Sequence, residues 1–138
     1  MYSIGQLSKD TGVKVTTIRY YEEVGVLNKP ERTQGHQRRY NAAALERLRF
    51  IKHARDLGFT IQAIESLIQL QESPEKSCKE ATDIANEQLL DVRRRIKQLN
   101  SLEKELARIV KSCRGEGTSQ SCHVLAALAD HTLCDREH

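Results

Sequence analysis

Three of the four cysteines in this 138-residue chain, Cys78, Cys113 and Cys122, stand at positions where thiolate chemistry could be done. Cys113 and Cys122 bracket RGEGTSQS, which offers no apolar side chain to pack, and Gly115 and Gly117 allow it to curl. Cys122 can therefore come back to Cys113. Cys78 lies 35 positions upstream of Cys113. Three thiolates without an obligatory fourth ligand suit a soft, thiophilic ion better than a structural zinc site, which closes on four. Two other readings use the same residues. Cys78 could be a small buried apolar side chain, as many free cysteines are, and Cys113 with Cys122 could form a redox-sensing disulfide pair. His123 reads as a polar residue of a short helix following Cys122. His131, Cys134 and His138 have a spacing that could bind zinc, but read more simply as a chain end carrying an incidental cysteine.

The element that must position these thiols is a long helix. Ser77 and Glu80 have capping-box spacing, which predicts a helix starting near Cys78. No Gly or Pro interrupts it before about Ser112. Ala85, Leu89, Val92, Ile96, Leu99, Leu102, Leu106 and Ile109 recur every three or four residues, and Cys113 stays in phase. Roughly 35 residues make a rod of about 50 Å, so Cys78 and Cys113 stand at opposite ends and cannot meet within one chain. A narrow apolar seam of this length calls for a partner helix, which predicts a homodimer. Antiparallel pairing sets Cys78 of one chain beside Cys113 of the other, and three thiols then converge at each end of the dimer.

The remainder of the chain is more basic. Net charge is +3 overall, but residues 1–60 carry +5 and residues 61–138 carry −2, a mild pointer to a polyanionic partner. SIGQLSKDTGV predicts a short helix capped by Ser3 and ended at Thr11-Gly12. VTTIRYYEEVGVL predicts a second, with Thr16 as cap and Ile18, Tyr21 and Val24 facing inward. Two short helices joined by a glycine-containing turn are the helix-turn-helix pattern. Lys14, Thr16, Arg19 and Tyr20 then suit base edges and phosphates. NKPERTQGHQRRY, with Lys29, Arg32, Arg38 and Arg39 around Pro30 and Gly35, reads as a basic wing touching the DNA backbone. A further helical pair follows. Asn41 caps the first helix, with Leu45, Leu48, Ile51 and Ala54 inside, and Gly58 ends it. Thr60 caps the second, with Ile61, Ile64, Leu67 and Ile68 inside.

In order, IRYYEEVGVL, PER, RRY, ERLRFIKHARDLGFT and an IxxIxxL helix resemble the MerR family of bacterial transcription regulators over roughly residues 2–70. Members often carry an aromatic residue where this chain has Gln37. The resemblance implies a mainly α fold: a winged helix-turn-helix domain (1–70), a linker and antiparallel coiled-coil dimerisation helix (71–112), a metal-binding loop and short helix (113–130), and a tail (131–138). It places Arg19 and Tyr20 on the recognition helix, Arg38 and Arg39 in the wing, and Arg55 near the DNA backbone. It also implies a homodimer on double-stranded promoter DNA that acts on RNA polymerase by distorting the promoter when metal binds. Cys78 takes the place where sensors of monovalent ions typically have Ser, which implies a divalent soft ion. Arg114 and the absence of histidine between the loop cysteines depart from the zinc sensors. The pattern is most like the lead, cadmium and mercury sensors, with Pb(II) favoured and Hg(II), Cd(II) or Zn(II) as alternatives. No nucleophile, base and orienting group stand at a recognisable spacing, so an enzyme is not expected. With no signal-peptide pattern and no membrane-length apolar run, a cytoplasmic protein is expected.

Overall fold

The computed structural model describes residues 1–32, 38–112, 117–119 and 122–129. It is mainly helical: α1 (Ile4–Thr11), α2 (Val15–Val24), β1 (Glu31–Arg32), β2 (Arg38–Arg39), α3 (Ala42–Asp56), α4 (Ile61–Gln71), α5 (Lys79–Ser112) and α6 (His123–Ala129). The chain divides into two compact units, Met1–Gln88 and Leu89–His138, and α5 runs across the division.

In the first unit the helix starts follow from capping side chains. Ser3 and Gln6 close a reciprocal capping box on α1, Asn41 Oδ1 accepts from the Ala44 amide at 2.9 Å, and Thr60 Oγ1 accepts from the Ala63 amide at 3.1 Å. Each bond satisfies an amide with no partner inside its own helix. Gly12 closes α1 at φ 77°, a left-handed conformation that side chains resist, and this allows the short turn into α2. The start of α2 differs from the expected one. Thr16 lies inside the helix, and Lys14 takes the capping position in extended conformation without a side-chain bond. Hydroxyl identity alone pointed to Thr16, whereas the chain direction leaving Gly12 sets the start two residues earlier.

The stripes expected from periodicity form one core. Leu7, Val13, Ile18, Tyr21, Val26, Leu27, Tyr40, Leu45, Leu48, Ile51, Ala54, Ile64 and Ile68 are buried together. Val24, expected inside, is 37% exposed, because α2 ends there and Val26 and Leu27 beyond Gly25 take the inner places. β1 and β2 pair antiparallel, Glu31 opposite Arg39 and Arg32 opposite Arg38. The intervening segment, with His36 and Gln37, lies outside the described residues.

α5 begins at Lys79 and ends at Ser112, as the absence of breakers predicts. Its start differs in detail: Ser77 Oγ accepts from the Lys79 amide at 3.4 Å, not from the Glu80 amide that the capping-box spacing names. Leu89, Leu90, Ile96, Leu99, Leu106 and Val110 are all exposed large apolar residues on α5. Among the described residues, no helix is long and apolar enough to cross a membrane.

Candidate functional site

α2 has one exposed face and one buried face. Lys14, Thr16, Arg19 and Tyr20 are exposed, while Ile18 and Tyr21 on the opposite side are buried. The two tyrosine rings lie 6.0 Å apart, tilted by 52°, so buried Tyr21 supports the base of exposed Tyr20. Arginine and lysine at the start of such a helix can bond to base edges or phosphates, and a tyrosine can do either.

The wing arises between Pro30 and Tyr40. Arg38 and Arg39 form β2, and Arg39 is half-buried. Arg55, near the end of α3, is exposed and donates from Nη1 to the Phe59 carbonyl at 2.8 Å. A guanidinium carries five donors, so this bond orients Arg55 without exhausting it. Arg55 is thereby held against the turn between α3 and α4.

That turn also meets α5. Gln88 Nε2 donates to the Leu57 carbonyl at 2.9 Å. Gly58 adopts φ 89°, and a Cβ there would lie 2.5 Å from Gln88 Nε2. Gly58 therefore does two things: it ends α3 in a conformation that other residues resist, and it leaves room for the amide of Gln88. Periodicity placed Gly58 as a helix terminator, but nothing in the sequence announced this link between α5 and the head.

Of the three thiols, Cys78 and Cys122 are described, and Cys78 is free. Cys78 is exposed immediately before α5. Its carbonyl accepts from the Thr82 amide at 3.0 Å, and its Sγ lies 3.5 Å from Thr82 Oγ1. Within the single chain Cys78 is exposed, so a buried apolar role would need a partner chain to cover it. Cys122 is half-buried, with its amide donating to Ser119 O at 3.3 Å and its carbonyl accepting from the Ala126 amide at 3.1 Å, so it forms the entry to α6. Cys113, His131, Cys134 and His138 lie outside the described residues. Among the described residues no three His, Cys, Asp or Glu side chains converge within one chain. An exposed thiol at Cys78 and a second thiol at Cys122 nonetheless have the donor chemistry for a soft ion.

Sequence reasoning passed over two buried acids. Glu22 on α2 is 7% exposed and Glu105 on α5 is 6% exposed. Both sit among charged neighbours that read as solvated faces, and only packing reveals them.

Comparison with known proteins places the chain. The "HTH-type transcriptional regulator ZntR" of Escherichia coli (strain K12) is 40% identical over 130 residues, 93% of this chain and 92% of that protein. The "Mercuric resistance operon regulatory protein" of Pseudomonas fluorescens is 36% identical over 126 residues, covering 91% of this chain and 86% of that protein. The solved structure of the transcription regulator PbrR691 from Ralstonia metallidurans CH34, in complex with lead(II), superposes with a TM-score of 0.75 at 36% identity, covering 93% of this chain and 99% of that one. Residues 45–109 match the family described as "MerR, DNA binding". Residues 2–71 match "MerR HTH family regulatory protein", and the chain belongs to that family of helix-turn-helix regulators.

Proposed function

We propose that this chain is a metal-responsive transcriptional regulator, a homodimer that holds promoter DNA and activates transcription when a divalent soft ion, Pb(II) in preference to Hg(II), Cd(II) or Zn(II), is bound. The ion would be held by Cys113 and Cys122 of one subunit and Cys78 of the partner subunit. The observation that carries this reading is the pairing of an exposed free thiol at the start of α5 with an uncovered apolar stripe along the same helix. The relatives named for mercury resistance and solved with lead(II) support the class of ion.

The register supports the cross-dimer arrangement. If Cys78 lies beside Cys113 of the partner subunit in an antiparallel pair, Ala85 comes opposite Leu106 of the partner subunit. Leu89 comes opposite Leu102 of the partner subunit, and Val92 opposite Leu99 of the partner subunit. The register chosen for the thiols thus pairs six of the eight seam residues with one another, small Ala85 meeting large Leu106, while Ile96 comes opposite Arg95 of the partner subunit and Ile109 opposite Thr82 of the partner subunit.

DNA would be held through Lys14, Thr16, Arg19 and Tyr20 on α2, Arg38 and Arg39 in the wing, and Arg55. The bound ion supplies a soft Lewis-acid centre that three thiolates share. The protein does the rest: α5 links the thiol ends to the head, where Gln88 grips the Leu57 carbonyl beside Arg55. A change at the thiols then reaches the DNA-holding residues and favours a bent, underwound promoter that RNA polymerase can use. Such deformation costs DNA on the order of 1–6 kcal/mol, within reach of an ion-dependent change in conformational preference.

The test is an anaerobic titration of the reduced protein with Pb(II), Cd(II), Hg(II) and Zn(II), followed by thiolate-to-metal charge-transfer absorption. The expected result is saturation at about one ion per protomer, with Pb(II) displacing Zn(II) in competition. Absence of tight binding by any of the four would remove the metal-responsive reading while leaving DNA binding intact.

A further inference from the structure

We propose that Glu22 and Tyr40 form a buried joint that fixes the wing against the recognition helix, making both positioning residues for the protein's contacts with DNA phosphates. The Tyr40 hydroxyl donates to Glu22 Oε1. Both side chains are buried, Glu22 at 7% and Tyr40 at 1% exposure, and Tyr40 belongs to the core cluster with Leu7, Ile18, Leu27 and Leu48. Glu22 lies on the last full turn of α2, three residues beyond Arg19 and two beyond Tyr20. Tyr40 follows directly on β2, the wing strand that carries Arg38 and Arg39. The bond therefore runs between the reading helix and the root of the wing.

Three observations make this joint more than packing. Among the described residues the wing is a ribbon of two paired strands, and a lone two-stranded ribbon is marginal by itself, so its direction depends on what holds its ends. Tyr40 is the held end: its amide donates to Tyr2 O at 2.8 Å and its carbonyl accepts from the Tyr2 amide at 2.7 Å. These backbone bonds attach the strand to the N-terminus, and the side-chain bond adds a directional link to α2. Finally, a buried carboxyl and a buried phenol are costly unless bonded, and apolar side chains of similar volume would fill the same space without that cost. What the polar pair adds is direction, because a hydrogen bond weakens steeply when its angle or distance drifts. A wing that swings relative to α2 cannot place Arg38 and Arg39 on phosphates while Arg19 and Tyr20 stay in a groove.

The test uses the full-length dimer and a duplex selected by the wild-type protein from a random pool. Affinity is measured across a salt series for wild type, Tyr40→Phe, Glu22→Gln and an Arg38→Ala/Arg39→Ala control, with thermal melting run alongside. Each lost phosphate contact flattens the slope of log affinity against log salt by about 0.9. Tyr40→Phe removes only the hydroxyl. It is expected to flatten the slope by about 1–2, matching the control, and to weaken binding about tenfold at moderate salt, while the selected sequence remains preferred. Glu22→Gln keeps an amide oxygen that can accept from Tyr40 and is expected to stay within about threefold of wild type. If Tyr40→Phe and Glu22→Gln melt earlier but both keep the wild-type slope and affinity, the pair is packing alone and the proposal is wrong. If the control leaves the slope unchanged, the wing does not touch phosphates and the proposal falls with it. Should Tyr40→Phe not fold, Glu22→Leu, which removes the acceptor, takes its place, and a folded Glu22→Leu that keeps the wild-type slope would overturn the proposal.

Discussion

Cys78→Ser is expected to abolish metal-dependent transcription while leaving the DNA-bound, metal-free protein as it was. The side chain is exposed, so replacing sulfur by oxygen disturbs no core. The carbonyl that accepts from Thr82 is unchanged, so the start of α5 should hold. What is lost is one of the three soft ligands proposed above. Outer-shell partners of a metal site already cost up to about 100-fold in affinity when removed, and a direct thiolate should cost at least that. Affinity for Pb(II), read by charge-transfer absorption, should fall by about 100-fold or more, and promoter activation by Pb(II) should fall to the uninduced level. Affinity for the promoter without metal should stay within about twofold, because Cys78 lies on neither α2 nor the wing. Unchanged metal affinity in Cys78→Ser would remove the helix-start thiol from the site.

The second large effect concerns the seam on α5. Leu99 is 62% exposed in the single chain, and in the proposed antiparallel register it meets Val92 of the partner subunit. Two-fold symmetry buries each such residue twice. Covering a leucine contributes about 1.5–3 kcal/mol, so Leu99→Glu should forfeit roughly 3–6 kcal/mol per dimer before the added like charges are counted. The expected result is a dimer dissociation constant raised about a hundredfold to ten-thousandfold, seen by sedimentation at micromolar concentration. The core of the first unit, from Leu7 to Ile68, contains no residue of this seam and should remain folded. Metal binding and promoter binding should both weaken, and recover together at high protein concentration. A Leu99→Glu protein that stays dimeric, with both affinities intact, would place the dimer contact elsewhere.

The pattern of what could be read from sequence has physical causes. Ser3, Asn41 and Thr60 were legible as caps because a side-chain oxygen beside an apolar repeat has few other uses at that position. The stripe from Leu45 to Ala54 was legible because a helix buries one face at fixed period. Lys14 was not, since it caps α2 with its backbone and no side-chain bond marks it. Glu22 stood in YYEEV and Glu105 in EKELAR, where charge patterning suggests solvent; their burial comes from contacts distant in sequence. The link from Gln88 to Leu57 spans 31 positions and depends on a glycine whose visible role is ending a helix. The thiols were legible as types and spacings. Their meeting point was inferable only through the apolar seam, because the site is proposed to be completed by a second chain.

That meeting across the dimer is the central claim, and mixed dimers test it most directly. One subunit would carry Cys78→Ser and the other Cys113→Ser with Cys122→Ser, distinguished by affinity tags and purified as the heterodimer. Neither homodimer should bind Pb(II) tightly. In the heterodimer, one end retains all three thiols, two from the first subunit and Cys78 from the second, so the account predicts one tightly bound ion per dimer. A heterodimer that binds no better than its parents would contradict it, and the three cysteines would not share an ion between subunits.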